Sequence, residues 1–188
     1  MNLVIKSDTL RPDAQVSSTS TAAGVLSYAV ADCELGKVLV ARSAKGVCSI
    51  LLGDNAGDLA ADLADRFPRF TLVSSEAMLE NDVAKVLRYI AKPSGGLHLT
   101  LDMRGTPFQR RVWERLKAIS AGRTVSYMDL ARWISPLASP RAVAGACAAN
   151  PIALAVPCHR VVRTNGDLAG YRWGVERKRA LIAKEATA

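Results

Sequence analysis

Three apolar runs with strand character, at residues 25–31, 37–42 and 47–52, open the pattern of this chain. Ser43-Ala44-Lys45-Gly46 between the last two is a turn signal and predicts a hairpin. The period then changes. Over 54–67 the apolar residues Leu59, Leu63 and Phe67 recur every fourth position and Pro68 stops the run, so a helix is expected. A second helix is expected over 76–91, with Met78, Leu79, Val83, Val86, Leu87 and Ile90 on its apolar stripe and Pro93 beyond its end. Residues 97–101 read as a short strand. Upstream of all this, residues 1–22 carry a Ser/Thr run and little apolar periodicity, the pattern of a flexible leader.

After Gly105 the helical period dominates. Thr106-Pro107 is an N-cap followed by proline in the first turn, and Phe108, Val112, Leu116 and Ile119 mark a helix to about Ser120, with Trp113 beside the stripe and Gly122 as terminator. Ser126 caps a helix to Ile134, and Ser139-Pro140 opens another that runs to Ala149. Residues 161–166 read as a strand entering an Asn-Gly turn, and 175–184 as a closing helix. The fold expected is α/β: a small sheet-plus-helix part over 23–103, then a mainly helical part over 104–188 with a helix–turn–helix.

At 188 residues and 49% hydrophobic, the chain can bury a substantial core. Its net charge of +8 fits a polyanionic partner such as nucleic acid or an anionic membrane, and equally a solvated basic surface. No apolar stretch is long enough for a membrane span, and Met1 to Lys6 do not start a secretory signal. The four cysteines form no C-x-x-C pair, so no metal site is expected; reduced thiols in a cytoplasmic protein are the better reading.

Three features carry candidate chemistry. The second helix of the helix–turn–helix, Arg141 to Ala149, is built almost entirely of small residues. Such a helix can approach a narrow surface closely while Arg141 enters a duplex, although a plain structural helical hairpin has the same outline. In Pro157-Cys158-His159-Arg160 a thiol has a base and a cation as neighbours, which is what a cysteine needs to act as thiolate; a buried structural cysteine is the alternative. Cys33, Cys48 and Cys147 lack such neighbours. Glu185 could orient His159, or be a solvated helix end.

Pro157-Cys158-His159-Arg160-Val161 resembles the active-site motif of the O6-alkylguanine-DNA alkyltransferases. The likeness extends, in order and spacing, through Gly105 to Gln109, Val112-Trp113, Thr124 to Tyr127, Leu130-Ala131, Arg141 to Ala144, Ala148 to Asn150 and Gly170 to Val175. It covers about residues 24–186, most strongly from 104 onward, and within the family points to the C-terminal half of the adaptive-response (Ada) regulators.

The resemblance implies a single-turnover repair protein, without a cofactor, that acts as a monomer on the minor groove of double-stranded DNA, flips out O6-methylguanine (with O4-methylthymine as a second candidate) and keeps the alkyl group on Cys158. His159 would deprotonate Cys158 through a water, Glu185 would hold the imidazole, and Asn150 would brace the turn before the active site. Tyr127 would contact the flipped base and protonate its N3. Arg141 would fill the gap in the stack, with Ala142, Gly145 and Ser126 along the DNA-binding surface and backbone groups near Val161 and Arg172 reading the base edge. The Ada cysteine-rich zinc module has no counterpart in this sequence, which puts phosphotriester sensing and an inducible transcription role in doubt, and Trp173, where some relatives have glycine, is expected to crowd the pocket.

Three rivals are weighed against this. An alkyltransferase-like protein that only recognises lesions would lack the acceptor, which Cys158 supplies. A regulator would need a sensor module, and a cysteine hydrolase gives no reason for the recognition helix.

Overall fold

The computed structural model describes residues 23–187; the leader expected over 1–22 lies outside the described residues. Strands β1 (Val25–Cys33), β2 (Gly36–Ser43) and β3 (Gly46–Gly53) form an antiparallel meander in which Val30 faces Leu39 and Val40 faces Ile50. The predicted hairpin turn is present, tightened by a bond from the Lys45 amide to Ser43 Oγ at 3.0 Å. Helix α1 (Ala56–Arg66) starts two residues after the onset that its pattern suggests. The side chain of Asn55 accepts from the amides of Gly57 and Asp58, and this cap fixes the first turn. Leu59 and Leu63 are buried, as the four-residue spacing requires.

A strand not foreseen in the sequence follows. β4 (Thr71–Ser74) pairs parallel to β1, with Thr71 opposite Val25, and the sheet order is β3-β2-β1-β4. Only four residues long and mostly exposed, β4 has no alternation strong enough to read; its pairing depends on the α1 crossover returning the chain to the sheet edge. Helix α2 (Glu76–Ala91) matches its expected span, but Met78 is 64% exposed rather than on the buried stripe. The strand expected at 97–101 is an extended segment that pairs with the sheet through a single bridge between Leu101 and Val47.

Helix α3 (Pro107–Lys117) carries a full capping box between Thr106 and Gln109. Trp113, expected beside the apolar stripe, is fully buried and donates its indole N–H to the Ala146 carbonyl at 2.9 Å. A Cβ on Gly105 would stand 2.6 Å from this ring, so only glycine fits there. Next come β5 (Val125–Ser126), α4 (Tyr127–Ile134) and α5 (Pro140–Ala148), the helices capped by Ser126 and Ser139 as predicted. The strand expected over 161–166 is only β6 (Val161–Val162), parallel to β5, and the Asn165-Gly166 turn follows it with Gly166 at φ +85°. Helix α6 (Val175–Ala186) closes the chain.

One continuous apolar core joins the two halves. The free edge of β3 is taken by the segment leading to the candidate site: the Ile50 amide donates to the Pro151 carbonyl, the Ala153 amide to the Ile50 carbonyl, both at 2.9 Å, and Ser49 Oγ to the Pro151 carbonyl at 3.0 Å. The sheet thus fixes the backbone a few residues before Cys158 and leaves no open β3 edge there.

Candidate active site

Between the β3 staple and Cys158 the chain turns through Leu154, whose φ of +68° is held by a side chain only 2% exposed. Cys158, His159 and Arg160 then form a short 3-10 turn, all three buried. Asn150 sits at the centre of this loop. Its Nδ2 donates to the Val156 carbonyl at 2.8 Å and reaches the Cys158 sulfur at 3.3 Å, while its Oδ1 accepts from the Ile152 amide at 2.9 Å. All three contacts are local to one turn, so the side chain sets both loop shape and sulfur position.

Behind the thiol lies a charge network centred on Glu185. Its Oε1 accepts from His159 Nε2 at 2.9 Å, Tyr89 OH at 2.7 Å and Arg160 Nη2 at 2.9 Å; its Oε2 accepts from Arg160 Nε at 2.8 Å and the Gly122 amide at 3.4 Å. Burial alone would raise the pKa of this carboxyl, but the bonds from His159 and Arg160 hold it well below the usual carboxylate range. Gly122 is required twice over. It adopts φ +73°, and a Cβ there would stand 2.9 Å from the Glu185 carbonyl oxygen.

An ionised Glu185 can only accept, so Nε2 of a neutral His159 carries the proton and Nδ1 is left as the basic nitrogen. Nδ1 is buried without a partner among the described residues, and burial pushes the imidazole pKa below its ordinary value, against the raising effect of Glu185. Burial also pushes the Cys158 thiol up to about 11, opposed by the Asn150 hydrogen bond and the charge of Lys178. The resting pair is therefore a neutral thiol beside a neutral base.

Cys158 forms part of the wall of a cleft of about 620 Å³ shared with Tyr127, Arg141, Cys147, Arg163 and Tyr171. Tyr127 is pushed up to about 12 by burial and keeps its proton, so it is a donor. Arg141 is exposed at the start of α5, and Ala142, Gly145 and Ala148 are the exposed residues along that helix while Val143, Ala146 and Cys147 face inward. Apart from its own helix and chain neighbours, nothing lies within 4 Å of where a Cβ of Gly145 would be, so this face of α5 is open.

These features coincide with what three comparisons found. The chain matches the family model "6-O-methylguanine DNA methyltransferase, DNA binding domain" over residues 107–187. It is 34% identical to the methylated-DNA–protein-cysteine methyltransferase of Candida albicans, over 85% of this chain and 96% of that relative. The chain belongs to this methyltransferase family. It is also 48% identical over 159 residues to the bifunctional transcriptional activator/DNA repair enzyme Ada of Escherichia coli, but spans only 45% of that protein's length. Among solved structures, OGT of Mycobacterium tuberculosis in complex with DNA matches at 32% identity and a TM-score of 0.74, covering 86% of this chain and 93% of that one.

Within this family framework, the structure brings Cys158, His159, Glu185 and Asn150 together and sets Tyr127 and Arg141 on the same cleft. Two sequence expectations change, at Arg160 and Trp173. Arg160 does not face the thiol: its guanidinium bonds Glu185, Tyr89 and the Ile119 carbonyl, and the cation that acts on Cys158 is Lys178. Ser126 is only 8% exposed, and its hydroxyl accepts from the Asp129 amide and donates to Asp129 Oδ2, so it caps α4. The Val161 amide donates to the Cys158 carbonyl, and its carbonyl accepts one bond, from Lys178 Nζ at 2.5 Å. The Arg172 side chain turns away to pair with Asp62 of α1 at 2.5 Å, although Arg172 still lines the cleft. Trp173 does not line the cleft; it packs edge-on behind Tyr171, ring centres 5.1 Å apart.

Sequence reasoning missed Tyr89, Lys178 and Arg163. Lys178 follows four residues after Gly174 on the closing helix and was indistinguishable from its solvated basic neighbours, yet it is fully buried. Arg163 lay in what read as a strand. Among the described residues, no helix is long and apolar enough to cross a membrane, and no group of three His, Cys, Asp or Glu could hold a metal ion.

Proposed function

We propose that this chain repairs DNA by moving a methyl group from O6 of guanine to the sulfur of Cys158, once per molecule. His159 takes the thiol proton at Nδ1 through a water molecule, and Glu185 steadies the resulting imidazolium. The thiolate attacks the methyl carbon, forming a C–S bond as the C–O bond breaks, and the electron pair passes to the purine ring. Tyr127 donates a proton at N3, so that guanine leaves neutral. The product is a thioether, which water does not cleave, so turnover stops at one.

The methyl of a stacked base is out of reach of a buried sulfur, which requires the nucleotide to leave the duplex. The open small-residue face of α5 in the minor groove and Arg141 as the plug in the vacated stack support that requirement. O4-methylthymine presents a similar alkyl ether and is the second candidate substrate. A monomer suffices, since one chain carries the whole site.

The observation that carries this reading is the buried Cys158 on the cleft beneath α5, with neutral His159 backed by ionised Glu185. Incubation with an O6-methylguanine duplex, followed by peptide mass spectrometry, should find one methyl on the Cys158 peptide and none elsewhere. Methylation at Cys147, or several turnovers per molecule, would overturn it.

A further inference from the structure

No residue of the sheet, α1 or α2 lines the cleft, yet one side chain of α2 reaches the charge network behind it. Tyr89, 3% exposed and 96 positions from Glu185, accepts from Arg160 Nη2 at 2.9 Å and touches Glu185 Oε1 at 2.7 Å. Guanidinium has no acceptor and carboxylate no donor, so the hydroxyl proton points at Glu185. Its direction is fixed by chemistry.

Glu185 needs such an anchor because it lies in the last turn of α6, which ends at Ala186, where helices fray. Arg160 grips the carboxylate from the active-site loop itself and would move with that loop. Tyr89 comes from a separate element, α2, which is tied to the same helix end by Lys184 Nζ donating to the Ile90 carbonyl at 3.0 Å, while the Lys184–Glu34 pair ties that end to the β1–β2 turn.

We propose that Tyr89 is a positioning residue for the reaction: its hydroxyl fixes Glu185 Oε1 toward His159 Nε2, and through it the N-terminal part of the chain sets how readily Cys158 gives up its proton. This rests on the proposed function of the same site. The other groups that face the network are His159 and Arg160 on the loop, Glu185, Lys178 and Arg177 on α6, Cys147 on α5, Tyr127 on α4, and Tyr171. None of them is supplied by the N-terminal part except Tyr89. Burial beside Glu185 raises the Tyr89 pKa, so the hydroxyl remains a donor through the working range.

The test uses the full chain and follows iodoacetamide alkylation of Cys158 by peptide mass spectrometry across pH, with methyl transfer from an O6-methylguanine duplex in parallel. Tyr89→Phe should move the alkylation midpoint up by about one pH unit, a roughly tenfold loss of thiolate at neutral pH, and slow methyl transfer by a similar factor. Duplex affinity should be unchanged. Val86→Ala, on the same helix but outside the network, should cost stability and leave the midpoint in place. A ring-fluorinated tyrosine at 89, which keeps ring and donor, should restore the wild-type midpoint. An unmoved or lowered midpoint in Tyr89→Phe, or a midpoint shift in Val86→Ala as large, overturns the positioning role. If wild type transfers methyl from the duplex no faster than His159→Ala at neutral pH, the proposed activation itself fails, whatever Tyr89 does.

Discussion

Asn150 Nδ2 lies 3.3 Å from the sulfur of Cys158 and donates to the Val156 carbonyl at 2.8 Å, so one amide ties the acceptor atom to the loop that carries it. Asn150→Ala removes these donors and also orphans the Ile152 amide, at an expected cost of about 1–3 kcal/mol. Asn150→Asp keeps the acceptor for Ile152 but places negative charge beside the sulfur, which disfavours the thiolate. Urea unfolding should show both variants less stable than wild type, and methyl-transfer rates at neutral pH should fall in both.

His159→Ala should slow transfer at neutral pH by about 10²-fold or more, the usual worth of a positioned base. Because burial lifts the thiol to about 11, raising the pH to 9 recovers little, and the variant approaches wild type only near that value. Single-turnover rates from neutral to strongly alkaline pH decide this. A deficit of constant size across the range would make His159 a structural residue.

Arg141→Ala should slow repair of duplex DNA while leaving transfer from free O6-methylguanine base unchanged, since the free base needs no unstacking, a step worth a few kcal/mol. The comparison belongs at saturating protein. If saturation restores the duplex rate, Arg141 is a phosphate contact, and the salt dependence of binding should then fall by about one unit of slope.

The Cys158 thiol also links stability to pH. Its pKa is raised from 9.0 in the ordinary thiol to about 11 when folded, so the folded chain holds the proton more tightly. That contribution is complete below pH 9 and is lost as pH rises through about 11. Between pH 8 and 10, wild type should therefore lose about 1 kcal/mol more stability than Cys158→Ala, measured by urea unfolding at both values. Equal losses would mean that the folded thiol ionises near its ordinary value.

The sequence by itself determined the helices of the second half. Thr106, Ser126 and Ser139 are caps that act within one turn, so their meaning needs no distant partner. The meander and the small-residue surface of α5 are local for the same reason: strand alternation and helix period are written in neighbouring residues. Cys158 and His159 were legible as a reactive pair because they adjoin. Tertiary structure decided what their neighbours do. Arg160 stands next to His159 in the chain but points at Glu185, and Lys178, one basic residue among several on the closing helix, is the charge that acts on the thiol. Tyr89, in a region that offered no chemistry, bonds a carboxylate 96 residues away. Burial turns ordinary pKa values into a neutral thiol beside a neutral base, and burial depends on every element that packs over the loop. A local pattern records which way a backbone turns; which side chains share a low-dielectric interior is fixed only when the sheet, α2 and α6 close over the same point.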